Sequence, residues 1–550
     1  ASCCCCSAFA PSCVQGAMER RLKLPTRCAA AALCAALWAS QRPVSEGTAG
    51  ARGVAVAFLA GRPLLPCHRR HQAPARRQAA AAASDVVDAP QLTRLLSKAS
   101  SAPAVVSVLK ANVGSPVFND IHTVAAWSRL AHHQDSVSGK VADSSYLREL
   151  IDLTERMLLA GGAEARKVSG IFWSVAVLQS NIPKVRRLLP ALFEMIKFCA
   201  SDLTSQGIAN ILWGSAHLQL SRSQLREVLP MLATMAVDRA DTQNPQGIAA
   251  IIWAGAVLRQ RAPELLAIMP ALGEMAVEQA EEMSHQHLSM IIWSVATLQR
   301  DAPSLSSTLP ALLAEATHRA DGFNAQQVAN IFWAAATLKR QLPIFKPVLP
   351  SLMKQALNTS SSMKGQEFSN TLWACAVLRQ AVPLLVSDMP KLLEAAAARA
   401  DDMNEQNIAN IVWAVGQAHL PESSAASVRR LLATAAAHLQ DFKPQGLANM
   451  CWGLASSSMA EQDFMTKVAA EVARVAPSMG DRAADFDLPQ IACSFAKLRM
   501  RHRGMLSAIA ARTSALLPRL NDWGLCALKW SYDELDAAGR FLDFRQRLGA

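Results

Sequence analysis

A tryptophan returns every 40 residues along this chain: Trp173, Trp213, Trp253, Trp293, Trp333, Trp373 and Trp413, then Trp452 one residue early. One phrase surrounds it, Gln-x-Φ-Ala-Asn-Φ-Φ-Trp-Ala-x-Ala-x-Leu with Φ apolar, clearest at 206–218, 326–338, 366–378 and 406–418. A fixed period with one motif per unit marks a stacked-repeat solenoid, in which each unit packs on its neighbours. Such a chain offers a long surface to an extended partner and seldom closes a compact catalytic pocket.

The composition agrees. Of 550 residues, 51% are apolar, and the excess lies in Ala and Leu rather than in β-branched types, which favours helix. The expected fold is all-α: a right-handed α-solenoid of about ten helical-hairpin repeats, an armadillo-, HEAT- or PPR-like superhelix behind a disordered N-terminal leader. The expected organisation is a leader over 1–84, N-terminal capping helices over 85–165, regular repeats over 166–460, and degenerate repeats with a C-terminal cap over 461–550. In the first helices Ala125 or Trp127 stands near the Trp position, and in the last ones Cys493 and Trp530 do.

The formal charge of +12 sits mostly in the leader: residues 1–84 hold eleven Lys and Arg against two acids. The rest is nearly balanced, at forty-four basic and forty-one acidic residues. A nucleic-acid surface must therefore come from a local stripe rather than from net charge. Residues 18–40 read as a signal peptide, with a basic start, twelve apolar residues over 28–39 and small residues after them. Residues 47–84 are Ala- and Arg-rich and acid-poor, as transit peptides are. Together they predict plastid targeting, with the mitochondrial matrix as the alternative, and no membrane insertion of the mature chain. Eight of 13 cysteines lie before residue 70, and the others form no zinc-spaced pair, so neither a metal nor a cofactor is expected. Nucleophile-elbow, P-loop, zincin and dinucleotide fingerprints are absent, and the chain is not expected to be an enzyme.

Counting from the Trp as zero, position −9 is Thr204, Asn244, Ser284, Asn324 or Asn404, all good N-caps. Helix A should run from −8 to about +6. Prolines recur at +10 and +17, for example Pro183 and Pro190, so helix B is either kinked or split in two. The repeat motif proper comprises Gln206, Asn210, Trp213, Gln246, Trp253, Gln286, Trp293, Gln326, Asn330, Trp333, Gln366, Asn370, Trp373, Gln406, Asn410, Trp413, Gln445, Asn449 and Trp452. Gln at −7 and Asn at −3 share a face. Their amides either contact bases or tie helix A to the preceding loop. A residue repeated unchanged cannot distinguish one base from the next, so selectivity should sit where units differ. Position −6 differs: Lys167, His287, Gln327, Glu367 and Asn407, with glycine elsewhere. Those side chains either read bases from the first turn of helix A or close capping boxes there. At +6 and +7, Arg259, Arg300, Lys339, Arg340 and Arg379 would form a ladder for a phosphate backbone, or would stabilise the C-termini of their helices.

The phrase Gln-Gly-Ile-Ala-Asn-Ile-Leu-Trp-Gly-Ser-Ala-His-Leu at 206–218, with its copies over about 160–460, resembles the octotricopeptide repeat. Related repeats occur in RAP-domain proteins and in the FAST leucine-rich family. The resemblance implies an α-solenoid of plastids or mitochondria that binds organellar single-stranded RNA, messenger or ribosomal, and acts in its processing, stability or translation. Other RNA-processing proteins would be its partners. Residues 536–550 are too short for a RAP module, so RNA cleavage by this chain is not implied. RNA would lie along the concave face, roughly 8–10 nucleotides at one per unit. The competing expectation is a protein-binding scaffold of HEAT or armadillo type.

Overall fold

In a computed structural model, described over residues 88–536 and 538–549, every regular element is helical. The leader assigned to 1–84 lies outside the described residues. The A helices fall where the period places them: Ala165–Leu178, Ser205–His217, Pro245–Leu258 and His285–Thr297, then Ala325–Thr337, Gly365–Leu378, Glu405–Ala418 and Pro444–Ser456. Their starts are fixed by short polar side chains. Thr204, Asn244, Ser284, Asn324 and Asn404 each accept from the backbone N–H three residues on, at 2.8–3.3 Å. Each satisfies a donor that the first helical turn would leave open. Pro245 and Pro444 take the first helical position, where no N–H is missed.

Helix B takes both of the forms left open by its prolines. It is split in most units, as in Pro183–Leu188 followed by Leu189–Phe198, or Pro303–Thr308 followed by Leu309–His318. There the +17 proline is the second residue of the longer piece, so its missing N–H falls among groups that have no helical partner in any case. In Leu384–Ala398, by contrast, Pro390 sits inside one continuous helix. A short 3-10 turn, such as Ala240–Thr242 or Ala400–Asp402, then leads from each B helix to the next A helix.

The described residues form two compact units, one up to Glu315 and one from Ala316 on. Each is a solenoid-like stack. In the first, Ser205–His217 packs between Ala165–Leu178 and Pro245–Leu258. In the second, Glu405–Ala418 packs between Gly365–Leu378 and Pro444–Ser456, with Leu384–Ala398 and its successors behind as a second layer. The core lies between layers. Positions −5, −2 and −1, for example Ile208, Ile211, Leu212, Ile248, Ile251 and Ile252, are fully buried. Small residues let the A helices close on one another. At Gly416 and Gly453 this reaches its limit: a Cβ on Gly453 would strike the Val412 carbonyl oxygen and approach Trp413 Cα to 3.0 Å.

One of the two terminal assignments shifts by a residue. Trp127 is fully buried and donates to Thr154 Oγ1 at 2.8 Å, so it occupies core position −1 and Ser128 stands where Trp stands elsewhere. In Asp522–Leu535 the buried residues are Ala527, Leu528, Ser531 and Tyr532. Its cap Asn521, which accepts from Gly524 N at 2.8 Å, stands nine residues before Trp530, and buried Leu535 stands five after it, so half-buried Trp530 keeps the Trp position.

Candidate nucleic-acid interface

With the core at −5, −2 and −1, the opposite face of helix A is the series −7, −3, 0 and +4. Gln206, Gln246 and Gln406 are exposed and Gln286, Gln326, Gln366 and Gln445 half-buried. Asn210, Asn370, Asn410 and Asn449 are half-buried, and Asn330 is buried with no hydrogen-bond partner for Nδ2. The indoles lie lower, seated between neighbouring A helices: Trp213, Trp253, Trp333, Trp373 and Trp413 are buried, Trp173, Trp293 and Trp452 half-buried. The stripe is thus a row of amides at one end, an indole floor, and a varied residue at +4.

Ring geometry shows how +4 relates to that floor. His217, at +4 on its own helix, stacks on Trp213 with centroids 4.7 Å apart, and Trp213 in turn stacks on Trp253 at 6.1 Å. Lys497, at +4 of the unit centred on Cys493, holds its Nζ 4.4 Å from the Trp452 ring centroid in the preceding unit. At +4, His217 thus borders the indole of its own repeat, and Lys497 that of the preceding one. Burial lowers the His217 pKa to about 4, so the ring sits there neutral.

Position −6 lies inside the stack. Gln327 Oε1 accepts from Asn324 N at 3.0 Å, Glu367 Oε2 from Lys364 N at 2.7 Å and His287 Nδ1 from Ser284 N at 3.4 Å, each closing the N-terminus of its own helix. Asn407 is buried and donates to Ser369 Oγ on the neighbouring A helix at 3.4 Å. Lys167 bridges Asp120 and Glu164 at 2.6 and 2.8 Å. Desolvation at this position lowers the His287 pKa to about 4, raises that of Glu367, and raises that of half-buried Asp487, its counterpart in the Cys493 unit, to about 7.

The +6 and +7 cations divide. Arg259 and Arg379 turn back to donate to Ala256 O and Ala376 O of their own helices, at 2.9 and 3.0 Å, and Arg259 also lies 3.4 Å from Asp301. Arg300 and Arg340 are exposed, and Lys339 is half-buried in a 3-10 turn.

Two roles were missed in the sequence. Position −14 staples the link between units: Arg239 donates to Ser201 O at 2.8 Å, Arg399 to Met363 O at 2.8 Å, and Gln279 Nε2 to Gln243 O at 3.0 Å. The recurrent Arg-Ala-Asp at 239–241, 319–321 and 399–401 carried that signal. The +4 position was missed because its residues share no chemistry.

Among the described residues, no group of three His, Cys, Asp or Glu could hold a metal ion, and no helix is long and apolar enough to cross a membrane. Cys375, Cys451 and Cys493 are buried, and burial pushes their thiols up, which makes them poor nucleophiles. Two shallow depressions of about 360 and 330 Å³ lie against B helices of the first unit, away from the stripe.

Residues 239–484, less than half of the chain, match the family described as RNA-editing substrate-binding complex 6 protein. No curated protein matches the sequence. Among solved structures, yeast importin-β (Kap95p) is similar at 12% identity and a TM-score of 0.37, over 86% of this chain and 64% of that one. The chain thus spans less than two thirds of importin-β.

Proposed function

We propose that this protein is a non-catalytic helical-repeat RNA-binding protein that holds single-stranded RNA along the −7, −3, 0 and +4 stripe of its A helices. The observation that carries the reading is the match of 239–484 to an RNA-editing substrate-binding family, a span that includes Asn330, Asn370, Asn410 and Asn449. Side-chain amides offer both donor and acceptor to the edges of unpaired bases, the usual target of sequence-selective RNA recognition. The exposed Arg300 and Arg340 supply phosphate contacts. The octotricopeptide-like phrase and the leader composition support a role in an organelle, plastid before mitochondrion, in RNA processing, stability or translation alongside other proteins. The near-balanced charge beyond residue 84 favours the second reading, a protein-binding scaffold.

The test is a titration of the full chain with random-sequence RNA at two salt concentrations, repeated with Arg259, Arg300, Lys339, Arg340 and Arg379 changed to Ala. Binding that weakens with salt, and a shallower salt dependence in the variant, is the expected result. Absence of binding at low salt, or identical behaviour of the variant, would establish the scaffold reading instead.

A further inference from the structure

We infer that position +4 of helix A is the base-selecting position in the second unit, while the asparagine at −3 grips every base alike. This rests on the RNA reading above and extends it to the specificity of the same stripe. Four consecutive A helices there carry Asn330, Asn370, Asn410 and Asn449, with Gln490 next in line. An asparagine amide pairs a donor with an acceptor, and each base presents such a pair on an open edge. Because the amide does not change from unit to unit, it contributes affinity without discrimination.

What changes across the indole floor is +4: Thr337, Val377, Gln417, Ser456 and Lys497. Thr337, Val377, Gln417 and Ser456 are all half-buried, so they face the trough without being sealed in the core. They offer a hydroxyl, an apolar wall, an amide and a hydroxyl in turn, and Lys497 places a cation at the ring of Trp452. A base over an indole would meet Asn about one turn before it and the +4 side chain about one turn after. The other varied position, −6, is occupied by caps and inter-helix contacts at Gln327, Glu367 and Asn407, which leaves +4 as the place where the stripe differs from unit to unit.

The experiment is selection of preferred sequences from a random RNA pool by the full chain, its double variant Gln417→Ser with Ser456→Gln, and Asn410→Ala. The double variant should exchange base preference at two neighbouring positions of the selected motif, with affinity for the whole pool held within about threefold. Asn410→Ala should weaken binding to all sequences by roughly fivefold, about one hydrogen bond, and leave the motif intact. Thr337→Val, nearly isosteric, gives the same readout at a single position if the double variant does not fold. Unchanged preferences in the +4 variants, an altered motif in Asn410→Ala, or a wild-type chain that binds RNA without any preference would overturn the inference and leave the RNA reading standing. Failure of the wild-type chain to bind the pool at all would remove both.

Discussion

The two units share one interior and differ on one face. In the unit up to Glu315 and in the one from Ala316 on alike, the residues before the Trp are buried aliphatic or aromatic groups: Ile251 and Ile252 in the first, Ile331 and Phe332 in the second. Position −3 behaves otherwise. It reads Asn210, Ala250, Met290 in the first unit and Asn330, Asn370, Asn410, Asn449 in the second. Close packing tolerates little change at a core position, whereas −3, half-buried in most repeats, is under weaker packing constraint. The difference therefore locates the uniform asparagine row in the second unit and leaves the first with a broken one.

The sharpest way to break this comparison is to probe the shared interior. Ile252→Ala and Leu372→Ala remove fully buried side chains from equivalent positions. Each should lower stability by about 2–5 kcal/mol in urea denaturation, and a large effect in one unit with none in the other would show that the interiors are not equivalent.

Next come the glycines at +1. A Cβ on Gly453 meets neighbouring backbone, whereas one on Gly214 meets side chains, the Phe172 ring at 2.9 Å and the Ala176 Cβ at 3.3 Å. Gly453→Ala should destabilise by about 1–3 kcal/mol, and Gly214→Ala by less because a ring can turn aside. The melting temperatures of the two variants decide this, and equal losses would mean that the A helices approach equally closely in both units.

The buried titratable groups respond to pH in opposite senses. His287 in the first unit has a folded pKa of about 4 against an ordinary 6.5, so its share of stability is full above pH 6.5 and is lost as pH falls toward 4. Asp487 in the second has a folded pKa of about 7 against 3.8, so stability falls as pH rises between those values. His287→Gln should stabilise at pH 5 and not at pH 8, and Asp487→Asn at pH 8 and not at pH 3.5, each on the order of 1 kcal/mol. Denaturation midpoints across pH would expose a reversed order.

The smallest effect is on the face itself. Asn410→Ala should change stability by less than about 0.5 kcal/mol. Ala250→Asn, filling a gap in the row of the first unit, should raise RNA affinity by roughly twofold to fivefold in fluorescence anisotropy. A loss of affinity would place the RNA elsewhere.

The A helices were readable in the sequence because their signals are local: a cap at −9, a core rhythm through −5, −2 and −1, and a proline past the end. The outcome at +17 was not, since Pro190 opens a new helical piece while Pro390 is carried within one. Position −6 could be read as a binding or a capping position; Gln327, Glu367 and His287 cap their helices there, while Asn407 and Lys167 reach neighbouring helices. The staples at Arg239 and Arg399 reach carbonyls 38 and 36 residues back, a distance that no local pattern spans.

The sequence by itself determined the repeat, its helical character and the identity of the buried rows, because periodicity and burial follow from the chemistry of one unit. Only the tertiary structure decided which polar side chains remain available to a partner. Capping takes hydrogen-bonding groups at −6, stacking takes those at −14, Asn370, Asn410 and Asn449 at −3 and Thr337, Val377, Gln417 and Ser456 at +4 stay half-buried along the stripe, and the indoles seat between helices. That allocation depends on a neighbour some 40 residues away in the chain.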